Sequence, residues 1–142
     1  MLVMVPATMA DQAFCFEVFA STRRAALAAL HKEYHDREDY YRRRCPNAEH
    51  VILVDRGARA GTAIICRRPQ EIRLMDLAIL PAFRDQGIGT ALIRALQAEA
   101  GSKHLSLSLQ VMRTNRARLL YERLGFVKTG ETPTHLSMVW RQ

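Results

Sequence analysis

The stretch Pro81–Leu96, "PAFRDQGIGTALIRAL", places Gly87 and Gly89 between an apolar run and an amphipathic segment. Glycine at a helix start lowers the stability of the helix, so this position must require bare backbone. The N–H groups of a first helical turn have no partner within the helix, and they attract anions. The spacing therefore predicts a strand–loop–helix unit that binds phosphate through its backbone amides.

Two common phosphate motifs do not fit this loop. A P-loop requires Gly-Lys-Ser/Thr, whereas this chain has Gly89-Thr90-Ala91, and a dinucleotide fingerprint requires a third glycine where Leu92 stands. Arg84 adds a positive charge to the loop. These features favour a phosphorylated ligand other than a P-loop nucleotide or NAD. A Gly-x-Gly pair alone is also typical of a plain tight turn, and that alternative stays open at this point.

Around this unit the hydrophobic periodicity predicts the order β-α-α-β-β-β-α-β-α-β-β. Helices are expected over residues 11–30 and 32–44, and a strand over 71–80 whose end is buried on both faces. A strand, a helix and a strand around the glycines imply a right-handed crossover with parallel pairing, whereas the flanking hairpins imply antiparallel pairing. We therefore predict one domain over residues 1–142, an α/β fold with a mixed sheet and helices on both faces. The buried stripe of the helix after the glycines is predicted to be Ile88, Ala91, Leu92, Ala95 and Leu96.

The composition limits the classes of function. The chain carries a net charge of +7, which favours an anionic partner or, alternatively, indicates only an arginine-rich surface. The sequence lacks a nucleic-acid recognition motif, a membrane-length apolar run, a signal-like start and zinc-ligand spacing, so we expect no nucleic acid, membrane or metal. Cys15, Cys45 and Cys66 have no paired spacing, which predicts reduced thiols and a cytoplasmic protein.

Two blocks of sequence resemble the GNAT superfamily of acetyl-CoA-dependent N-acetyltransferases. The first is Arg84-Asp85-Gln86-Gly87-Ile88-Gly89, which is similar to the family pattern Arg/Gln-x-x-Gly-x-Gly/Ala between a buried strand and a helix. The second runs from Asn115 through Leu120-Tyr121 to Gly125-Phe126. The two blocks have the order and spacing of the family, and together they are more specific than either alone. The resemblance is strongest over residues 71–127.

The resemblance implies a sheet of about seven strands whose two central parallel strands splay apart and hold acetyl-CoA as co-substrate. Pantetheine would bond to the backbone of Ala78, Ile79 and Leu80 as an added strand. The pyrophosphate would lie on the N–H groups at the start of the helix, with Arg84 alongside. Asn115 is a favourable N-cap for the second-block helix in any case, and in the family it also approaches the cofactor; capping alone is the first of these two interpretations. The residues implied for the pyrophosphate are Gln86, Gly87, Ile88, Gly89 and Thr90.

The same resemblance implies direct attack of a neutral amine on the thioester. Tyr121 matches the family tyrosine that acts as a general acid toward the leaving thiolate, although it could instead be only an aromatic residue of the buried helix face. For the base, the candidates are Glu71 and Asp76, at the start of and within a largely apolar strand. An acid there is costly unless it is paired or used, so Asp76 could be a base, an amine-binding carboxylate or, first in order, a structural partner for an arginine.

The predicted function is transfer of acetyl from acetyl-CoA to a primary amine of a small molecule or peptide. The alternative is a regulatory protein of the same fold that binds CoA without turnover. Acceptor specificity is expected in "HKEYHDREDYYRRR" and "GETPTHLS", over residues 31–44 and 130–137. Four carboxylates in the first stretch would suit a cationic amine, or they are only a solvated helix face. A homodimer is possible.

Overall fold

The computed structural model describes the whole chain, Met1–Gln142. The element order of the sequence prediction is confirmed. The strands are β1 Leu2–Pro6, β2 Glu49–Asp55, β3 Ala58–Arg67, β4 Glu71–Ile79, β5 Ser106–Met112, β6 Val127–Glu131 and β7 His135–Trp140. The helices are α1 Gln12–Ser21, α2 Leu27–Arg44, α3 Ile88–Ser102 and α4 Ala117–Arg123, with short 3-10 turns at Met9–Asp11 and Pro81–Phe83.

All seven strands form one mixed sheet in the order β1-β2-β3-β4-β5-β7-β6. Every neighbouring pair is antiparallel except β4 and β5, which are parallel and joined by the crossover through α3. The helices α3 and α4 contact β5, whereas α1 contacts β3 and β4 and packs on α2. This arrangement confirms the predicted mixed α/β sheet.

The parallel strands β4 and β5 separate halfway along their length. They pair only from Glu71↔Ser106 to Leu74↔Leu109, and the remainder of β4 has no partner on that edge. The separation coincides with a bulge, because the register between β3 and β4 shifts at this point and leaves Met75 unpaired on β3 as well. A bulge bends its strand, so it directs β4 away from β5. The splayed central strands implied by the resemblance are therefore present.

The main core lies between the sheet and α3. Leu107, Leu109 and Val111 of β5 point into it, and the intervening serines and glutamine point to the opposite face, as the period of two predicts. The predicted stripe of α3 was partly wrong, because Ala91 and Ala95 are exposed. The helix buries Ile88, Leu92, Ile93, Leu96 and Ala100, which lie one, two or three turns apart on one face.

The prediction of one helix over residues 11–30 was also wrong. Helix α1 ends at Ser21, and α2 begins only at Leu27. At the end of α1 the hydroxyl of Ser21 donates to the Val18 carbonyl oxygen, and that of Thr22 donates to the Phe19 carbonyl oxygen. These local bonds satisfy the last carbonyls of α1 and compete with a further helical turn.

The end of β4 differs from its prediction as well. Residues 77–79 were expected to be buried on both faces, but each is only half-buried. The cause is the missing partner strand, since one edge of this segment borders the gap between β4 and β5. No helix has the length and apolar character needed to cross a membrane.

The cysteines contradict the prediction of three reduced thiols. Cys45, which follows α2, forms a disulfide with Cys66 in β3, with the two Cα atoms 6.2 Å apart. Only Cys15 is free. Sequence spacing does not show the pairing because 21 residues separate the two positions, and only the packing of α2 on the sheet brings them together. The expectation of a cytoplasmic location loses the support that it drew from free thiols.

Candidate active site

The glycine loop, residues 84–90, connects β4 to α3. Gly87 precedes the first helical residue with φ at 81°, a left-handed conformation that favours glycine, and Asp85 has φ at 60°. None of the backbone N–H groups from Gln86 to Thr90 donates a hydrogen bond within the protein, and the first N–H of α3 with a partner is that of Ala91. These donors surround the positive end of a 15-residue helix, which is the arrangement that binds phosphate groups.

Internal packing does not explain why residue 89 is glycine. A Cβ atom there would lie 3.5 Å from Leu120 and 4.0 Å from Leu77, both ordinary contact distances. At Gly87 a Cβ would meet nothing within 4 Å. The protein leaves room for a side chain at both positions. The left-handed φ of Gly87 by itself favours glycine there, whereas at residue 89 a ligand that approaches the backbone closely would account for the absence of a side chain.

Of the three residues at the end of β4 and directly after it that were predicted to bond pantetheine, only Ile79 directs its backbone groups toward the gap. The Leu80 N–H donates to Ala60 of β3 at 2.8 Å, and the Leu80 oxygen accepts from Phe83 at 2.9 Å, so both of its groups are used. The oxygen of Ala78 lies against Gly61 of β3. Because successive backbone groups of a strand point in opposite directions, those of Leu77 and Ile79 face the gap.

Of the other predicted ligand-binding side chains, those of Arg84, Gln86 and Asn115 have partners within the protein, and that of Thr90 has none. Arg84 donates from Nε to the Ile79 oxygen at 3.0 Å, which ties the glycine loop to the end of β4. Gln86 donates to the Ala82 oxygen at 3.2 Å. Thr90 makes no side-chain hydrogen bond, and Asn115 caps α4 by accepting the Ala117 N–H at 2.9 Å. Arg84 therefore helps to hold the glycine loop in its conformation.

Tyr121 of α4 is buried against Phe126, with ring centroids 5.6 Å apart. Its hydroxyl has no hydrogen-bond partner in the protein. Burial, together with the negative charge of Asp76, raises the pKa of Tyr121 to about 12. The phenol therefore stays protonated at neutral pH and remains a hydrogen-bond donor.

Asp76 has the arginine partner that was the first of its three predicted roles. Its Oδ2 lies 3.0 Å from Nη1 of Arg37 in α2, and Arg37 also contacts Glu38 at 3.3 Å. Burial raises the pKa of Asp76, and the charge of Arg37 opposes that shift. The pair joins α2 to β4 immediately after the bulge.

Glu71, the second predicted base, lies at the paired end of β4. One carboxylate oxygen accepts from Arg68 at 3.1 Å, and the other accepts from the Ser108 hydroxyl at 2.9 Å. Ser108 in turn accepts from Arg73 at 3.3 Å. The Glu71 carboxylate thus belongs to a polar chain that spans β4 and β5.

A cavity of about 510 Å³ opens where β4 and β5 separate, on the α2 face of the sheet. We call it the arginine cavity. Leu74, Met75 and Gln110 mark the point of separation, and His135 of β7 stands beside them. The other lining residues are Tyr40, Tyr41, Arg44, Arg68 and Arg73.

The two stretches in which acceptor specificity was expected both reach this cavity, through the C-terminal end of α2 and through His135. The sequence analysis missed Arg68, Arg73 and Gln110. Arg73 could have been found from the pattern alone, because an arginine between Ile72 and Leu74 in a predicted buried strand is as unusual as Asp76. No group of three or more His, Cys, Asp or Glu side chains has an arrangement that could hold a metal ion.

Comparison with known proteins identifies this architecture. Residues 46–128 match the family model described as Acetyltransferase (GNAT) domain. Over 75 residues the chain is 35% identical to a [ribosomal protein bS18]-alanine N-acetyltransferase from Haemophilus influenzae, a match that covers 52% of this chain and 51% of that protein. The chain therefore spans about half the length of this curated relative.

Solved structures show the same fold over almost the whole chain. The ribosomal-protein-S18-alanine N-acetyltransferase from Escherichia coli has a TM-score of 0.73 at 20% identity, and the match covers 99% of this chain and 94% of that one. PaiA N-acetyltransferase from Thermoplasma acidophilum, solved in complex with coenzyme A, has a TM-score of 0.75 at 13% identity, with 100% and 99% covered. The family model spans more than half of the chain and includes the glycine loop and Tyr121, so this chain belongs to the GNAT family of acetyltransferases.

Proposed function

We propose that the protein transfers an acetyl group from acetyl-CoA to a primary amine by direct attack. One observation carries this proposal: the unpartnered N–H groups of residues 86–90 lie at the end of a strand whose edge is open. A phosphate-binding helix start next to an unpaired strand edge fits a ligand that has both a diphosphate and an extended amide chain. Coenzyme A has both parts.

The residues that would hold this ligand follow from the geometry. The N–H groups of residues 86–90 would bind the diphosphate, and the backbone of Leu77 and the N–H group of Ile79 would pair with the amides of pantetheine, since the Ile79 oxygen already accepts from Arg84. When bound, acetyl-CoA supplies an activated thioester. The gap narrows to the pair Leu74↔Leu109, so the arginine cavity opens where the reacting end of an extended ligand would stop.

Tyr121 is the proposed proton donor to the departing thiolate. Its hydroxyl is free of other partners, and its pKa of about 12 keeps the proton on the phenol until a strong base lies beside it. A thiolate in a water-poor gap is such a base, since burial disfavours its charge. The side chain needs no activation by a neighbour for this role.

His135 is the proposed general base. Of the residues that line the arginine cavity, it is the one whose side-chain type enzymes use most often for general acid–base catalysis. Its Nδ1 lies 2.8 Å from the Thr134 hydroxyl, which fixes the ring and leaves Nε2 for an amine. Glu71 and Asp76 are each held by an arginine, and we propose structural roles for both.

Titration calorimetry with coenzyme A, pantetheine and NAD tests the binding part of this proposal. Coenzyme A should bind, pantetheine should bind at least 100-fold more weakly because it lacks the diphosphate, and NAD should show no heat of binding. The factor of 100 corresponds to about 2.7 kcal/mol. Equal affinity for pantetheine and coenzyme A would contradict the assignment of the glycine loop.

The catalytic part is tested by release of thiol from acetyl-CoA in the presence of amines. His135→Asn keeps a group able to bond Thr134 but removes the proton acceptor. Its kcat/KM should fall about 100-fold at neutral pH and recover at high pH, where the amine is already neutral. A protein that binds coenzyme A tightly but transfers nothing to any amine would support the non-catalytic alternative instead.

A further inference from the structure

The charge of the arginine cavity points to the chemistry of the acceptor. We propose that the acceptor is a small primary amine that also carries a carboxylate or phosphate group, which the guanidinium groups of the cavity bind. This inference rests on the proposed function, because it assigns the arginine cavity to the acceptor. It concerns the acceptor alone and makes no use of the glycine loop.

The cavity has an excess of positive charge. Three arginines line it, and no carboxylate does. Arg68 is paired with Glu71 at 3.1 Å, but neither Arg44 nor Arg73 lies within 4.0 Å of any carboxylate. Arg44 instead stacks on Tyr40, with its guanidinium carbon 5.0 Å from the ring centroid. Two guanidinium groups therefore reach the cavity without an anionic partner.

Arg73 is the more informative of the two. It is half-buried in the middle of β4, and its one side-chain hydrogen bond goes to the hydroxyl of buried Ser108. A partly desolvated cation with only a neutral partner is costly, so an anionic ligand would stabilise it. The nearby Glu71 does not remove this need, because its carboxylate already accepts from Arg68 and Ser108.

The acidic residues of α2 do not offset the arginines. Each is paired with a nearby basic side chain, and none lines the cavity. The pairs are Glu33 with Arg23, Asp36 with Lys32, Glu38 with Arg37 and Asp39 with Arg42. The interpretation of these carboxylates as a site for a cationic amine therefore loses its support.

The size of the cavity favours a small molecule. About 510 Å³ lies within the range typical of sites for small ligands. Arginine binds carboxylate and phosphate with two parallel hydrogen bonds, so a single anionic group can be oriented by Arg73 or Arg44. An amine on the same molecule then extends from the bound anion toward the point where β4 and β5 separate.

Paired acceptors that differ only in the anionic group test the proposal. Phosphoethanolamine is compared with ethanolamine, and aspartate with its diamide, by thiol release from acetyl-CoA and by calorimetry on the protein without acetyl-CoA. We expect the anionic member of at least one pair to have a kcat/KM at least tenfold higher and to bind at least tenfold more tightly. The first pair reports on phosphate and the second on carboxylate.

Matched variants locate the effect. Arg73→Gln and Arg44→Gln should each lower the anionic preference about fivefold, with the affinity for coenzyme A unchanged. Arg43→Gln makes the same change of charge on the neighbouring residue, which does not line the cavity, and should leave the preference unaltered. If ethanolamine and the diamide both react and bind as well as their anionic partners, or if an acidic peptide is favoured over both small anions, the proposal is wrong. If the unmodified protein does not bind coenzyme A, the proposed function is contradicted instead.

Discussion

The two ends of the gap between β4 and β5 differ in the groups that they offer to a ligand. The glycine loop uses backbone N–H groups from one continuous stretch, and its chemistry depends on side chains being absent. The arginine cavity uses side chains that come from α2, the turn after β3, β4, β5 and β7. Backbone chemistry of this kind is encoded locally, whereas the side-chain site exists only once the sheet has been assembled.

The largest effect is expected from the disulfide, which holds one wall of the arginine cavity. Cys45 follows Arg44, and Cys66 precedes Arg68 by two residues. Replacing both cysteines by alanine should lower the free energy of unfolding by about 3 kcal/mol, the value expected for a cross-linked loop of this length. Chemical denaturation measures the loss, and Cys15→Ala serves as the control.

The same variant distinguishes the two ends of the gap. Without the cross-link, KM for the acceptor should rise, while the affinity for coenzyme A should stay within about twofold, because the glycine loop has no contact with the disulfide. Alkylation of the unfolded, unreduced protein should modify one cysteine. Modification of all three would show that the cross-link is absent.

The second prediction concerns the glycine loop. Gly87→Val places a branched side chain at a φ of 81°, in the space where the diphosphate is proposed to lie. Affinity for coenzyme A should fall about 100-fold, or 2.7 kcal/mol by calorimetry. Gly57→Val is a close control, since Gly57 has a φ of 79° and equally open surroundings in the turn between β2 and β3.

Both substitutions should cost similar stability through backbone strain. Only Gly87→Val should weaken ligand binding. If Gly57→Val weakens coenzyme A binding to the same extent, the effect comes from loss of the folded state, and the glycine loop has no special role.

The contrast between the two ends also explains what could be predicted from the sequence. The loop was predicted because Gly87, Gly89 and the adjoining apolar periodicity lie within 16 residues. The element order was predicted from hydrophobic periodicity, and the splayed strands were implied by the family resemblance. The separation point depends on a bulge at Met75, where the core-facing alternation of Ile72 and Leu74 shifts by one residue to Leu77 and Ile79. This shift did not enter the sequence predictions.

The remaining differences between the sequence predictions and the structure have a common physical origin. The disulfide, the Asp76–Arg37 pair and the arginine cavity all join residues at least 21 positions apart, so they follow from tertiary packing. The assignment of Leu80 as a backbone donor to a ligand could not be checked from sequence, because the alternation of N–H directions along β4 depends on its register with β3.

The third prediction tests Tyr121, the proposed proton donor. Tyr121→Phe should lower kcat about 30-fold and leave the affinity for coenzyme A unchanged. This decrease in kcat is smaller than the decrease of 100-fold or more that is typical for loss of a general acid, because a phenol with a pKa of about 12 is a weak proton donor. Pre-steady-state release of thiol measures the step directly. An unchanged kcat would leave Tyr121 as a core aromatic.

The smallest change in stability is expected at the ion pair between α3 and β3, on the opposite side of the sheet from α2. Arg67 binds both carboxylate oxygens of Glu99, at 2.7 and 2.9 Å. The hydrogen bond from Arg67 lowers the pKa of Glu99 in the folded state, so folding favours the ionised carboxylate. This contribution to stability is complete above the pKa of the unfolded chain and is lost as the pH falls through the lower, folded-state pKa.

Glu99→Gln should therefore cost about 1 kcal/mol near neutral pH and almost nothing in acid, where the parent protein has lost the same contribution. Denaturation of both proteins at several pH values below 5 measures this convergence. Because Arg67 stands between Cys66 and Arg68 in the chain while Glu99 belongs to the helix of the glycine loop, the variant also shows whether the two ends are coupled. Equal acceptor preference and equal coenzyme A affinity in both proteins would mean that each end is held in place by its own contacts.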